Sequence, residues 1–338
     1  ARLMQKSAPG QLVASAAVLA LVPTRFDLTP LEPFLVKGKT EPIQASLVGH
    51  QLAEQVEHED MSGPDAGGQE VGFVGREEEL AALAAELAVA ESGIGRVAEV
   101  VGEPGIGKTR LVAELLLSHP DVRVLHAKGG LYSRRTPYFA VSRMLRDLVG
   151  IDSSVTPAAA GRRLTTWILT HAPEMEPWAP LLAIAFGAEI PMTPEVERID
   201  PANRAARLRD AVVDLLTTAI PGPLAMVVDD AHRLDEASEE IFAVIARRIQ
   251  RRPWLLVGVH SSDHATFLDE VDDLLSVPLG ALARAGVESI VREAIAGDDR
   301  YDEDDVESIV DRGITTPLFL LELVRAGVGE DTDTPDSI

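Results

Sequence analysis

Eight consecutive residues, Gly102-Glu103-Pro104-Gly105-Ile106-Gly107-Lys108-Thr109, constrain this chain more than any other feature, because they satisfy the pattern GxxxxGK[ST] in full. An apolar run at 97–101 precedes them. Arg110 closes the run, and Leu111, Val112, Leu115 and Leu116 follow at the spacing that lines one face of a helix. A strand that passes through such a turn directly into a helix makes a cradle for phosphate. Glycines let successive backbone N–H groups wrap an anion without Cβ clashes, and the following helix presents its positive end to it. The plainer alternative is a glycine-rich turn before an ordinary helix; the order strand, loop, helix argues against it.

A second segment supplies the acid that such a cradle requires. Leu224-Ala225-Met226-Val227-Val228 is an apolar strand candidate ending in Asp229-Asp230. That placement predicts Asp229 at the carboxyl edge of a sheet, where it would hold Mg²⁺ together with the Thr109 hydroxyl, and Asp230 beside it to polarise an attacking water. Lys108 would reach the β- and γ-phosphates. ATP and Mg²⁺ are therefore the expected cofactors, with Lys108, Asp229 and Asp230 as catalytic candidates and Thr109 and Asp229 as metal ligands. Two aspartates after a strand also start turns or cap helices, and it is the phosphate loop that shifts the reading. Asp235 reads as the cap of a helix at 237–248 in preference to a further group holding the metal site. His232 reads as a packing or surface residue in preference to a general base or phosphate sensor, and Arg134 and Arg135 as solvated charge on a loop in preference to contacts with a γ-phosphate. Arg247, Arg248, Arg251 and Arg252 form a basic cluster, either an arginine finger acting across a subunit contact in an oligomer or cations at a helix C-terminus.

The 338 residues are too many for one core and predict two or three domains. Residues 1–49 read as a small α+β piece with a helical start at 2–7, a Pro9-Gly10 turn and extended runs at 26–31 and 43–48. Residues 50–70 turn acidic and glycine-rich, as a linker does. Within 71–285 the strand candidates 97–101, 122–127, 224–228 and 255–259 are separated by helical stretches, which predicts an α/β fold, a mostly parallel sheet wrapped by helices. From 286 to 338 the pattern is helical only, at 287–296, 304–311 and 318–324, a lid followed by an acidic tail. A net charge of −23 argues against a nucleic-acid surface in this segment and against anionic membranes. The absence of cysteine excludes disulfides, thiolate zinc sites and cysteine nucleophiles, so the cytosol is the default. Apolar stretches such as 12–22 fall short of the roughly 20 residues of a membrane span. The opening Ala1-Arg2-Leu3-Met4 reads as the interior of a longer protein.

Phe73-Val74-Gly75-Arg76-Glu77, the loop 102–110, Pro137-Tyr138 after a basic loop, and the run from Val227 to Asp235 together resemble the AAA-type P-loop ATPase module of STAND signalling proteins, over about residues 71–326. The resemblance implies a nucleotide switch in which slow hydrolysis or exchange resets the P-loop domain against its helical lid. It also places Val74, Gly75 and Arg76 near the adenine. Two departures stand out. Relatives end the fourth strand with a Thr, an aromatic residue and an Arg, where this chain has Val259-His260-Ser261. Their lid segment Gly-Asn-Pro-Leu-Phe is here Thr315-Thr316-Pro317-Leu318-Phe319, which keeps Pro317 for a base contact.

Arg2, Ala8-Pro9-Gly10-Gln11, Phe34-Leu35-Val36-Lys37-Gly38-Lys39 and Glu41-Pro42-Ile43 are similar to the C-terminal end of class III adenylate/guanylate cyclase domains. Arg2 matches an arginine placed there near the cyclising phosphate. The metal-binding aspartates of such a domain are absent from these residues, so the segment is not expected to make cyclic nucleotide. The order cyclase end, linker, ATPase implies a regulatory ATPase that tunes an attached cyclase, with ATP or ADP, its own cyclase and its C-terminal domains as partners. The sensor ATPase of a large LuxR-type transcription regulator and a scaffold that binds ATP without hydrolysing it are the alternatives.

Overall fold

The computed structural model describes residues 12–15, 26–31, 45–51, 72–130, 133–261, 264–296 and 301–326. The chain divides into two compact units, Ala1–Met61 and Ser62–Ile338. In the first, strands β1 (Leu12–Ser15), β2 (Phe26–Pro30) and β3 (Ala45–Gln51) form one antiparallel sheet in the order β1-β3-β2, with Leu12 and Leu28 each opposite Val48. β3 runs to Gln51, so strand pairing reaches the first two positions read as linker. The helix expected at 2–7, Arg2, the linker residues 52–70 and the acidic tail lie outside the described residues.

The second unit is built on five parallel strands. They are β4 (Arg96–Gly102), β5 (Arg123–Lys128), β6 (Leu224–Asp229), β7 (Trp254–His260) and β8 (Leu274–Leu279), in the order β5-β6-β7-β4-β8. β6 and β7 are buried at every position, which is why both read as unbroken apolar runs rather than as alternating ones. Four of the five strands were expected. β8 was not: it is an edge strand carrying Pro278, a residue that central strands exclude because it cannot donate to the ladder.

Helices cover both faces. α1 (Glu77–Glu91) and α2 (Lys108–Leu117) pack on each other and on β4. Between β5 and β6 the chain makes a helical insertion of α3 (Phe139–Val149), α4 (Pro157–His171), α5 (Ala179–Phe186), α6 (Pro194–Glu197) and α7 (Arg204–Ala219). Every residue of α5 except Ile184 is buried, so it forms the centre of that insertion. With α8 (Glu236–Arg248), these helices share one continuous core with Leu125, Met226, Val228 and Leu256 of the sheet. Side chains alternate across a strand, so Asp229 projects to the face opposite Val228, toward the start of α2.

The C-terminal helices α9 (Arg284–Ile295), α10 (Glu303–Asp311) and α11 (Pro317–Ala326) are the expected lid, with a core of their own formed by Val287, Ile290, Val291, Val306, Ile309, Leu320 and Val324. α10 starts on a reciprocal cap, in which the Asp302 carboxylate accepts from the Asp304 and Asp305 amides and the Asp305 carboxylate from the Asp302 amide. Among the described residues no helix is long and apolar enough to cross a membrane.

Candidate nucleotide site

The loop between β4 and α2 takes the shape its glycines allow. Gly105 and Gly107 have φ of 75° and 101°, a left-handed backbone that side chains disfavour, and Gly107 delivers the chain into the first turn of α2. The amides of that turn have no intrahelical partner and add to the positive end of the helix. Lys108 Nζ donates to the carbonyls of Gly102 and Glu103, both at 2.9 Å, so its amine is held over the loop. Burial pushes the Lys108 ammonium below its ordinary value, against the opposing pull of the Asp230 and Asp229 carboxylates. Ile106 is buried beneath the loop, and Arg110 turns away along α2 to Glu114, 3.8 Å distant.

β6 and α2 meet at the expected pair. Thr109 Oγ1 donates toward the Asp229 carboxylate, 3.2 Å from Oδ2 and 3.4 Å from Oδ1, and Asp229 is buried. A hydroxyl and a carboxylate side by side are an all-oxygen donor set of the kind a hard divalent cation takes, so these residues fit Mg²⁺. Asp230 follows in a left-handed conformation with φ of 50°, its amide donating to Asp229 Oδ1 at 3.0 Å and its carboxylate 3.7 Å from Arg233. Gly129, the first residue after β5, lies directly against this acid loop. Its amide donates to the Asp229 carbonyl at 2.8 Å, and a Cβ on it would stand 2.3 Å from the Asp230 carbonyl oxygen.

Asp235 caps α8 as expected, its Oδ1 accepting from the Ser238 amide at 2.9 Å. The same oxygen accepts from the Tyr138 amide at 2.7 Å, at the start of α3, a partner no local spacing announces.

The segment 74–76 lies beside the lid. Gly75, with φ of 73°, faces Leu282 and Gly286, and its amide donates to Glu77. The Arg76 guanidinium is buried and donates to the Gly280 carbonyl and to Glu79, which anchors the segment to the end of β8. The lid reaches the phosphate loop as well. Next to Pro317, the Leu318 amide donates to the Gly105 carbonyl at 3.3 Å. Val74, Gly75, Arg76, the phosphate loop and Pro317 are thus gathered around the lid.

The remaining candidates fall elsewhere. Arg247, Arg248, Arg251 and Arg252 line a cleft of about 350 Å³ with Asp214 and Thr217 at the end of α8. The neighbouring Gln250 carbonyl accepts from the Gly95 amide just before β4, at the sheet edge opposite the phosphate loop, so the cluster does not serve the chain's own loop. Arg248 is paired there with Asp210 and Asp214. Arg134 and Arg135 are exposed on a single 3₁₀ turn. The His232 ring lies 4.9 Å from that of His264, and burial lowers its pKa against the pull of Asp230. One pair was missed. The buried His260, at the end of β7, has Nε2 3.0 Å from a Glu99 carboxylate oxygen and Nδ1 3.0 Å from the Ser261 carbonyl. A lone acid inside the apolar run 97–101 was its signal.

A central parallel sheet with a glycine-rich strand-to-helix loop and a carboxylate two strands away defines the P-loop NTPase class. Residues 72–257, more than half of the chain, match the model of the AAA ATPase domain family, and the chain belongs to that family. Among solved structures it is similar to Cdc6p from Pyrobaculum aerophilum, at 15% identity and TM-score 0.50 over 79% of this chain and 64% of that one. A RuvB variant from Thermotoga maritima is similar at 17% identity and TM-score 0.42, over 75% of this chain and 61% of that one. A signal transduction ATPase with numerous domains and a tetratricopeptide repeat sensor, from Pyrococcus horikoshii, gives 16% identity and TM-score 0.41, over 81% of this chain and 32% of that one. The chain spans less than two thirds of the length of each of these structures. No curated protein matches it by sequence.

Proposed function

We propose that this module binds ATP with Mg²⁺ in the loop 102–109 and acts as a slow nucleotide switch within a larger signalling protein. The observation that carries the reading is the approach of Thr109 Oγ1, in the first turn of α2, to 3.2 Å from Asp229 at the end of β6, although β4, which leads into α2, and β6 are separated by β7. When bound, Mg²⁺ supplies charge neutralisation at the terminal phosphates. The chain's own contribution is positional. The Thr109 hydroxyl and the Asp229 carboxylate would supply oxygen ligands to the cation, and Lys108 would exchange the Gly102 and Glu103 carbonyls for phosphate oxygens. Asp230 orients the attacking water. Val74, Gly75 and Pro317 contact the base from the lid side, with Arg76 fixing that segment through Gly280.

The regulated partner is proposed from the resemblance of residues 1–49 to a cyclase C-terminus, and the family match at 72–257 does not extend to it. The lid and whatever follows it would carry the nucleotide state onward. A second reading, ATP held without turnover, is favoured by one observation: the residues at the end of β7 are Val259-His260-Ser261, without an arginine, and the His260 imidazole there is hydrogen-bonded to Glu99.

Calorimetry of Mg·ATP and Mg·ADP binding tests the proposal, with Lys108→Ala and Asp229→Ala beside the parent chain. The expected result is binding that Lys108→Ala abolishes and that loses its Mg²⁺ dependence in Asp229→Ala. No heat from a folded parent chain sinks the reading. Phosphate release under the same conditions separates the switch from the scaffold.

A further inference from the structure

The acid loop between β6 and α8 is joined to the helical insertion by one carboxylate. Asp235 is 2% exposed. Its Oδ1 accepts from the amide of Ser238 in α8 and from that of Tyr138 at the head of α3, and Oδ2 lies 3.4 Å from the Ala140 amide. The cap therefore serves two helices whose positions in the chain are far apart. A second bond runs alongside, the Val141 amide donating to Ser238 Oγ at 3.2 Å, and Ser238 is fully buried. At the other end of the loop, the Gly129 amide donates to the Asp229 carbonyl. The chain leaving β5 and the chain leaving β6 are thus clamped together at both ends.

Strain concentrates where the clamp acts. Among the described residues, Tyr138 (φ 62°) and Asp230 (φ 50°) are the two non-glycine residues with left-handed backbones, and they sit one on each clamped segment. Such conformations persist only where the surroundings over-determine them, and they gather at functional sites. A cap needed only for α8 does not require a donor from α3, since a local serine, threonine or aspartate caps a helix equally well.

We propose that Asp235 is a positioning residue: it sets the acid loop that carries Asp230 against the first turn of α3, so that nucleotide at the phosphate loop is felt in the helical insertion. This rests on the nucleotide-binding reading given above. α3 is the insertion's first helix and contacts α5 and α4, so a change at its first turn is passed to the bundle that α5 centres.

The test is amide hydrogen exchange on the full chain, without nucleotide and with Mg·ATP, beside calorimetry of the same samples. In the parent chain Mg·ATP is expected to slow exchange at Tyr138, Ala140 and Val141 as well as in the phosphate loop. Asp235→Ser keeps a cap for α8 but is too short to reach Tyr138. It is expected to hold ATP affinity within about threefold of the parent while losing the slowing at 138–141, since it spares every group that touches nucleotide. Ser238→Ala removes the acceptor of the Val141 amide without touching the acid loop and is expected to retain the slowing at Tyr138 and Ala140, which separates coupling from general loosening of α3. Slowing confined to the phosphate loop of the parent chain, or retained in full by Asp235→Ser, overturns the coupling while nucleotide binding stands. Neither heat nor slowing at 102–109 in the parent chain overturns the nucleotide reading itself, and this inference with it.

Discussion

Gly129→Ala is the substitution that most directly probes how the acid loop is seated. A Cβ on Gly129 would lie 2.3 Å from the Asp230 carbonyl oxygen, 2.8 Å from the Arg233 carbonyl carbon and 3.0 Å from the Leu234 amide nitrogen. All three are backbone atoms, so no rotamer change relieves the contact; the loop or the end of β5 must move by about an ångström. Forcing an extra methyl into packed surroundings costs about 1–3 kcal/mol. The same movement lengthens the 2.8 Å bond from the Gly129 amide to the Asp229 carbonyl, adding about 0.5–1.5 kcal/mol. The expected loss is therefore about 1.5–4.5 kcal/mol. Gly130→Ala is the control one residue on, because its Cβ would meet only the rotatable Ser133 hydroxyl at 2.6 Å, and it should cost less than about 1 kcal/mol. Urea unfolding followed by tryptophan emission reads the difference, since Trp167, Trp178 and Trp254 all lie in the ATPase unit. Equal midpoints for the two variants would refute the packing argument, because only Gly129 faces immovable atoms.

Gly105→Ala puts a Cβ 2.9 Å from that of Leu318 at a φ of 75°, so it should release the lid from the phosphate loop, read as faster exchange of the Leu318 amide; unchanged protection there would count against the contact. Glu99→Leu and His260→Leu should each cost about 1–3 kcal/mol by stranding a buried polar partner, and the double variant should recover much of it, whereas costs that simply add would deny the pairing. Burial holds the pKa of His126 below its ordinary value, so the unfolded chain takes up this proton first as the pH drops. The stability it contributes is present above about pH 6.5 and is lost as the pH falls toward the lowered folded value, and His126→Gln should therefore lose less melting temperature than the parent between about pH 7 and 5.5.

Local chemistry made the phosphate loop readable. Gly105, Gly107, Lys108 and Thr109 sit within five residues, and the backbone conformations they require are properties of those residues themselves. β6 and β7 were readable for a related reason, since strands buried on both faces carry no polar residue to break the pattern. What escaped depends on partners distant in the chain. Asp235 announces a cap for α8 but not its second helix, because Tyr138 precedes it by the whole insertion. Gly129 resembles any glycine in a loop until the acid loop is laid against it. β8 was hidden by Pro278 and by the acidic run Asp269-Glu270-Val271-Asp272-Asp273 just before it, composition that suits an edge better than a centre. The basic cluster at 247–252 could not be assigned an end of the sheet from sequence, and its place decides that it does not act on the chain's own loop.

The strand order carries a consequence for how the module is made. β4, which feeds the phosphate loop, is the penultimate strand in space but the first of the five in the chain, and its two neighbours β7 and β8 both come after the whole helical insertion. As the polypeptide leaves the ribosome, β4 has no sheet partner until residue 254 has emerged, and its second edge stays open until residue 274. Pairings that distant in sequence form late, because the loop-closure entropy must be met before any contact rewards it. Nascent chains arrested before β7 should hold the complete phosphate-loop motif without the sheet that seats it, so on the proposed nucleotide-binding reading ligand can stabilise this unit only after β7 has emerged.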